Sequence, residues 1–177
     1  MKRRTRRLVV PGRVAVVGVA VAALLTGCSF SNPATVATPY AASDGTHGEL
    51  KNAATGENVR LRNFLLVTAA QGGAGAVSGA IANNGTRPVT VQLTVLDDTD
   101  PAQPQTVGRA SVEVAPGELA QIGPAGTPFD LASIPAEPGE KLVIQAATGG
   151  GSTKFALPVL PPRDEYATVT SSATPAG

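Results

Sequence analysis

The stretch Val89-Thr90-Val91-Gln92-Leu93-Thr94-Val95 sets apolar and polar residues in strict alternation. A period of two sends successive side chains to opposite faces of a strand. Val89, Val91, Leu93 and Val95 therefore point to a core, and Thr90, Gln92 and Thr94 point to water. The same alternation recurs at Val112 and Val114 between Ser111 and Glu113, and at Phe155, Leu157 and Val159 between Lys154, Ala156 and Pro158. Residues 59–67, 76–82, 119–122 and 142–147 complete the set. About seven short strands with no long helical period predict an all-β chain, an immunoglobulin-like sandwich. One helical turn at most is expected, at residues 132–136.

The separators are turn formers. Pro116-Gly117-Glu118 and Pro138-Gly139-Glu140 each place Pro at i+1 and Gly at i+2, the pattern of a type II turn. Asn83-Asn84-Gly85 is expected to supply positive φ between Ile81 and Val89. Gly72-Gly73-Ala74-Gly75 and Gly149-Gly150-Gly151 read as flexible strand connections. Neither is a phosphate-binding loop, because no Gly-Lys-Ser/Thr follows and the GxGxxG spacing is missing.

Ahead of the strands, Lys2, Arg3, Arg4, Arg6 and Arg7 precede an apolar run at residues 14–25. That run falls short of the roughly 20 residues a spanning helix needs, so residues 1–27 read as a signal peptide. Arg6-Arg7 partly resembles a twin-arginine export signal, although an ordinary basic n-region is the preferred reading. Leu25-Thr26-Gly27-Cys28 resembles the bacterial lipobox. The Cys28 thiol would take a diacylglycerol through a thioether, and the small Thr26 and Gly27 would let a peptidase reach the bond before it. Each buried methylene contributes about 0.8 kcal/mol, so two or three acyl chains anchor firmly. The expected location is the outer face of the cytoplasmic membrane, with membrane lipid as partner through Cys28. No second cysteine exists to form an intramolecular disulfide.

Residues 28–46, rich in Ser, Asn, Pro, Ala and Thr, read as a flexible tether. Residues 47–162 form the sandwich domain, and residues 163–177 read as a disordered tail. After cleavage the chain keeps eight of its 14 basic residues and all 13 acidic ones, a formal charge of −5. Nucleic-acid binding is disfavoured, since phosphate contacts need clustered Lys and Arg.

Chemistry-bearing residues are sparse. His47 is the only histidine, it sits at the tether's edge, and a positioned general base is not expected there. Asp97, Asp98 and Asp100 read as an acidic hairpin loop; a calcium site would want six to eight oxygens, and no EF-hand spacing follows. Arg60 and Arg62 alternate with Val59 and Leu61 and read as a solvated strand face or a basic stripe for a partner. Tyr166 is a candidate docking residue in the tail. The residues alone thus predict no enzyme, no cofactor and no metal site.

The phrase Val59-Arg60-Leu61-Arg62-Asn63-Phe64-Leu65-Leu66-Val67 resembles the first strand of the actinobacterial LpqE-like lipoproteins. The similarity continues through residues 79–85 and 88–91, and closes with residues 148–153 leading into Phe155-Ala156-Leu157-Pro158-Val159. That family is similar in fold to the PCuAC-type periplasmic copper chaperones, so the resemblance implies a cupredoxin-like sandwich. Those chaperones hold Cu(I) through paired His and Met. Here the only Met belongs to the signal peptide, and no copper ligand maps across. The resemblance implies instead an accessory role in a cell-envelope complex, with respiratory complexes as the implied partners. Copper handling, or carriage of a small ligand, is the alternative.

Overall fold

In a computed structural model the described residues are 44–173. The signal peptide, the lipobox with Cys28, the tether up to residue 43 and residues 174–177 lie outside them. Nine strands follow one another: β1 (Thr46–Asn52), β2 (Glu57–Thr68), β3 (Gly75–Asn83), β4 (Val89–Asp97), β5 (Gln105–Val114), β6 (Leu119–Ile122), β7 (Asp130–Leu131), β8 (Lys141–Thr148) and β9 (Gly151–Leu160). A 3₁₀ turn, Asp164–Tyr166, comes last among the described elements. The chain is all-β and sandwich-like, as the alternation predicts.

Sheet I holds β1, β2, β3 and β6, with β7 beside β3. Sheet II holds β5, β4, β8 and β9 in that order. The last residues of β9 run parallel to β2, pairing Leu66 with Val159 and Val67 with Leu160. Hydrogen bonding therefore curls from one layer into the other as β5-β4-β8-β9-β2-β3-β6. One edge of β2 is shared: β1 takes its first half and β9 its end. The Thr46 hydroxyl, donating to the Ala156 carbonyl, pins β1 to β9 at the crossover.

The core forms where the apolar sides of the two layers meet. Val91, Leu93 and Val95 of β4 and Leu61, Phe64 and Ile81 of sheet I have no exposed surface. Each such side chain contributes about 1.5–3 kcal/mol relative to an exposed one. Phe64 meets Phe155 edge to face, with centroids 5.9 Å apart and planes at 77°. Gly79 makes room for this: a Cβ there would lie 2.8 Å from the Phe64 ring.

Two strands exceed the seven expected. β1 carries one buried apolar residue, Leu50, so alternation cannot reveal it; pairing with β2 makes it a strand. It begins at Thr46, inside the expected tether. β7 is two residues long. Both Pro-Gly-Glu turns have the expected geometry: Gly117 has φ 75° and Gly139 φ 104°. Glu118 N–H donates to the Ala115 carbonyl (3.2 Å) and Glu140 N–H to that of Glu137 (3.0 Å).

The Asn83-Asn84-Gly85 turn differs from expectation, since none of its residues has positive φ. The Asn83 side chain organises it instead. Its amide donates to the Arg87 and Val114 carbonyls (2.8 and 3.0 Å), and its Oδ1 accepts from Gly85 N–H (2.9 Å). Residues 132–136 form no helical turn. Ile134 is buried and exchanges backbone hydrogen bonds with Gly72 and Gly73, so the first glycine-rich connection is held in place.

Candidate docking face

The outer side of sheet I gathers the residues the sequence singled out. Its geometry turns on Asn63, which sits at φ 52° where the β2–β3 register shifts between Arg62 and Leu65. Such a bulge adds one residue and resets the alternation. Before it, Val59 and Leu61 face the core while Arg60 and Arg62 face outward. After it, Phe64 and Leu66 face the core while Leu65 and Val67 face outward. The Asn63 Oδ1 accepts from Gly45 N–H (3.0 Å), fixing the bulge to the start of β1.

The bulge divides this face into two halves. In the first, Glu49 of β1 stands opposite Arg60 and draws three cations: Lys51 at 2.6 Å, Arg62 at 3.4 Å and Arg60 at 3.6 Å. The Glu49 carboxyl is held below its ordinary range, first by the Lys51 hydrogen bond and then by the charges of Lys51, Arg60 and Arg62. Three cations around one carboxylate leave net positive charge here, on a domain whose whole balance is acidic. Ala80 and Ala82 of β3 lie beside the arginines, and Gln121 and Leu119 of β6 beyond them. Leu119, at 58 % exposure, is the exposed large hydrophobic residue among the described ones.

In the second half, Leu65, Val67 and Ala76 are at most 2 % exposed, yet they stand apart from the inter-layer core. Their register places them on the outer side, with Asp130 of β7 opposite Ala76. The segment after β9 returns over this face. Tyr166 donates its phenol proton to Asp44 Oδ2 at 2.8 Å. Ser172 donates to Asp130 Oδ2 through both N–H (3.3 Å) and hydroxyl. Between these two fixings, Thr168 and Val169 help to line an open groove of about 350 Å³, together with Arg62, Asn63, Ser78, Gly79, Ala80 and Gln121. Within the expected tail, Tyr166 and Ser172 are thus bonded to the domain, and residues 174–177 lie outside the described residues. The Tyr166 phenol is pushed up to about 12, chiefly by burial and then by Asp44 and Glu165.

Of the other candidates, the acidic loop follows β4 of sheet II, and His47 lies on β1 of this sheet outside the ion-pair cluster. His47 is exposed on β1, a strand position and not a tether edge. Asp97 accepts from the Thr99 N–H (3.0 Å) and hydroxyl (2.6 Å), and Asp100 accepts from Ala102 N–H (3.0 Å). The Asp97 carboxyl is held low by those Thr99 bonds, as an Asx turn does. Among the described residues, no three His, Cys, Asp or Glu side chains are grouped to hold a metal ion. Sequence reasoning missed the buried outward set Leu65, Val67 and Ala76. The signal was present: after Asn63 the run Phe64-Leu65-Leu66-Val67 stops alternating, as a strand covered on both faces does.

No family model and no curated protein matches the chain. Among solved structures, a β-glucosidase from Listeria innocua in complex with glucose is 13% identical, with TM-score 0.36, over 59% of this chain and 16% of that one. DesR, a β-glucosidase from Streptomyces venezuelae, is 14% identical, with TM-score 0.33, over 57% and 15%. β-Glucosidase 3B from Thermotoga neapolitana is 14% identical, with TM-score 0.31, over 58% and 16%. The chain thus spans about one-sixth of the length of these enzymes. This finding corrects the expectation that the chain is not an enzyme: the chains it resembles are enzymes, so that exclusion is withdrawn. At such identities and TM-scores no reaction, substrate or site is carried across in its place.

Proposed function

We propose that this chain is a lipid-anchored extracytoplasmic binding module that docks a cell-envelope protein complex through the outer side of sheet I. The observation that carries the reading is that face: a cationic cluster, small alanines and an exposed leucine beside a groove. Large charged side chains flanking a shallow apolar strip are what a partner surface needs for orientation and contact. The lipobox at Cys28 supports attachment to the membrane, and the resemblance to the LpqE-like lipoproteins supports an accessory role, respiratory complexes included.

The test is co-purification of the tagged full chain from gently solubilised membranes. Three variants accompany it: Cys28→Ala, the double reversal Arg60→Glu with Arg62→Glu, and Arg109→Glu with Lys154→Glu on sheet II. A complex recovered in constant ratio with the unaltered chain and the sheet II variant, and lost with the sheet I variant, supports the reading. Recovery of the lipidated chain alone would sink it.

A further inference from the structure

The segment after β9 already runs along the groove on sheet I and supplies part of its lining, and its chemistry names the ligand this face takes. We propose that residues 167–172 act as an exchangeable ligand in cis, and that the groove accepts an extended, uncharged partner segment of β-branched and hydroxylated residues in their place. This deepens the docking reading and rests on it.

Three observations meet here. First, the segment Thr168-Val169-Thr170-Ser171-Ser172 lacks charge and large side chains. It suits a groove lined on the sheet side by the small Ser78, Gly79 and Ala80. Second, among the described residues the segment's side-chain bonds to the domain are at its two ends, Tyr166 on Asp44 and Ser172 on Asp130, and both are open to water. Such bonds exchange easily, since water replaces them at little cost. Third, Leu65, Val67 and Ala76 are buried on the outer side of the sheet although they belong to no inter-layer core. The returning segment is bonded at either end of this side, to Asp44 ahead of β1 and to Asp130 opposite Ala76. Its departure uncovers an apolar strip beside the Arg60–Arg62 cluster, one continuous surface for a partner. The covering segment is joined to the domain by a short stretch, which acts as a high local concentration of competitor.

The proposal is tested with the chain shortened after Pro162 and a synthetic peptide of residues 163–177, binding being followed by fluorescence anisotropy of the labelled peptide. Saturable binding to the shortened chain, with binding to the intact chain weaker by roughly tenfold or more, is the expected result. A peptide carrying Val169→Asp should not bind. A shortened chain that folds but takes no peptide overturns the proposal, as does equal binding to both forms. Should the shortened chain fail to fold, the full chain with Val169→Asp decides in the same way, because its own segment is disfavoured in the groove while the domain stays whole. An intact chain that sediments as a dimer, and becomes monomeric on shortening, would give the groove to a second copy and overturn a separate partner. Peptide exchange that fails while the co-purifying complex survives removes the groove alone; exchange without any complex removes the docking reading alone.

Discussion

The two outer faces of this sandwich are built from strands of the same alternating kind, yet they differ in what lies over them. On sheet II, Thr90, Gln92 and Thr94 stand beside Glu113, Ser111 and Arg109, and beyond them Gln145 pairs across to Lys154. Thr90, Gln92, Arg109, Ser111, Glu113 and Lys154 are exposed. Sheet I begins in a similar way, with Arg60 and Arg62, but past Asn63 its outward residues are Leu65, Val67 and Ala76, and they are buried. Strands of the same kind therefore leave most of one face open to water, Leu96 apart, and bury three outward residues on the other. Outward register alone does not make a residue a surface residue; what passes over it does.

The largest expected effect comes from treating equivalent outward positions alike. Leu65→Ala should cost about 2–5 kcal/mol, as truncation in a packed site does. Thr94→Ala, outward on sheet II, should change stability by less than about 0.5 kcal/mol. Urea unfolding of the two variants makes the comparison, and equal costs would erase the distinction between the faces. Asn63 is where the faces part, so Asn63→Val should cost about 1–2 kcal/mol, because a β-branched residue resists the left-handed conformation. Asn63→Gly keeps the bulge and loses only the acceptor for Gly45. Thermal melts that rank Val below Gly would confirm that conformation, more than the hydrogen bond, sets the bulge.

A smaller effect belongs to Tyr166→Phe, at most about 1 kcal/mol, since its bond to Asp44 is open to water. Its pH dependence is more telling. A phenol raised from 10.0 to about 12 contributes support that is complete below the unfolded value. That support is lost as pH climbs from about 10 through 12. Ultraviolet difference titration of the chain, with and without Tyr166→Phe, should show the late-titrating phenol vanish in the variant. A Tyr166 that titrates at its ordinary value would mean the segment is not seated. The smallest effect is expected from Glu49→Gln, whose carboxylate is solvated and whose ion pairs are screened. The Glu49 pKa is lowered, so its contribution is present above the ordinary carboxylate range and fades as pH falls through the shifted value. A carboxyl titration followed by NMR should move up toward the ordinary range when Lys51 is changed to Ala, Arg60 and Arg62 still holding it below.

Much of this was legible in the chain before folding was considered. Alternation at residues 89–95, 111–114 and 154–159 identified strands because the period of two is a local property of an extended backbone. The two Pro-Gly-Glu turns were legible for the same reason: Pro sets φ and Gly supplies its positive value within four residues. The outward arginines on β2 could be read from Val59 and Leu61. Whether they would be solvated, or joined through Glu49, could not, because Glu49 lies on a strand with one core residue. Nor could Asn83 be read as an anchor, since its amide reaches the Val114 carbonyl across 31 positions.

Local chemistry, then, determined that this chain forms strands, where most of them turn and which side of each is apolar. Those properties depend on neighbours in sequence. Three things depended on distant parts meeting: the curl of β9 onto β2, the bulge at Asn63 held by Gly45, and the return of residues 166–172 to Asp44 and Asp130. Each rests on hydrogen bonds or burial between residues far apart in the chain. The alternation rule records which way a side chain points, and only the assembled layers settle what it meets there.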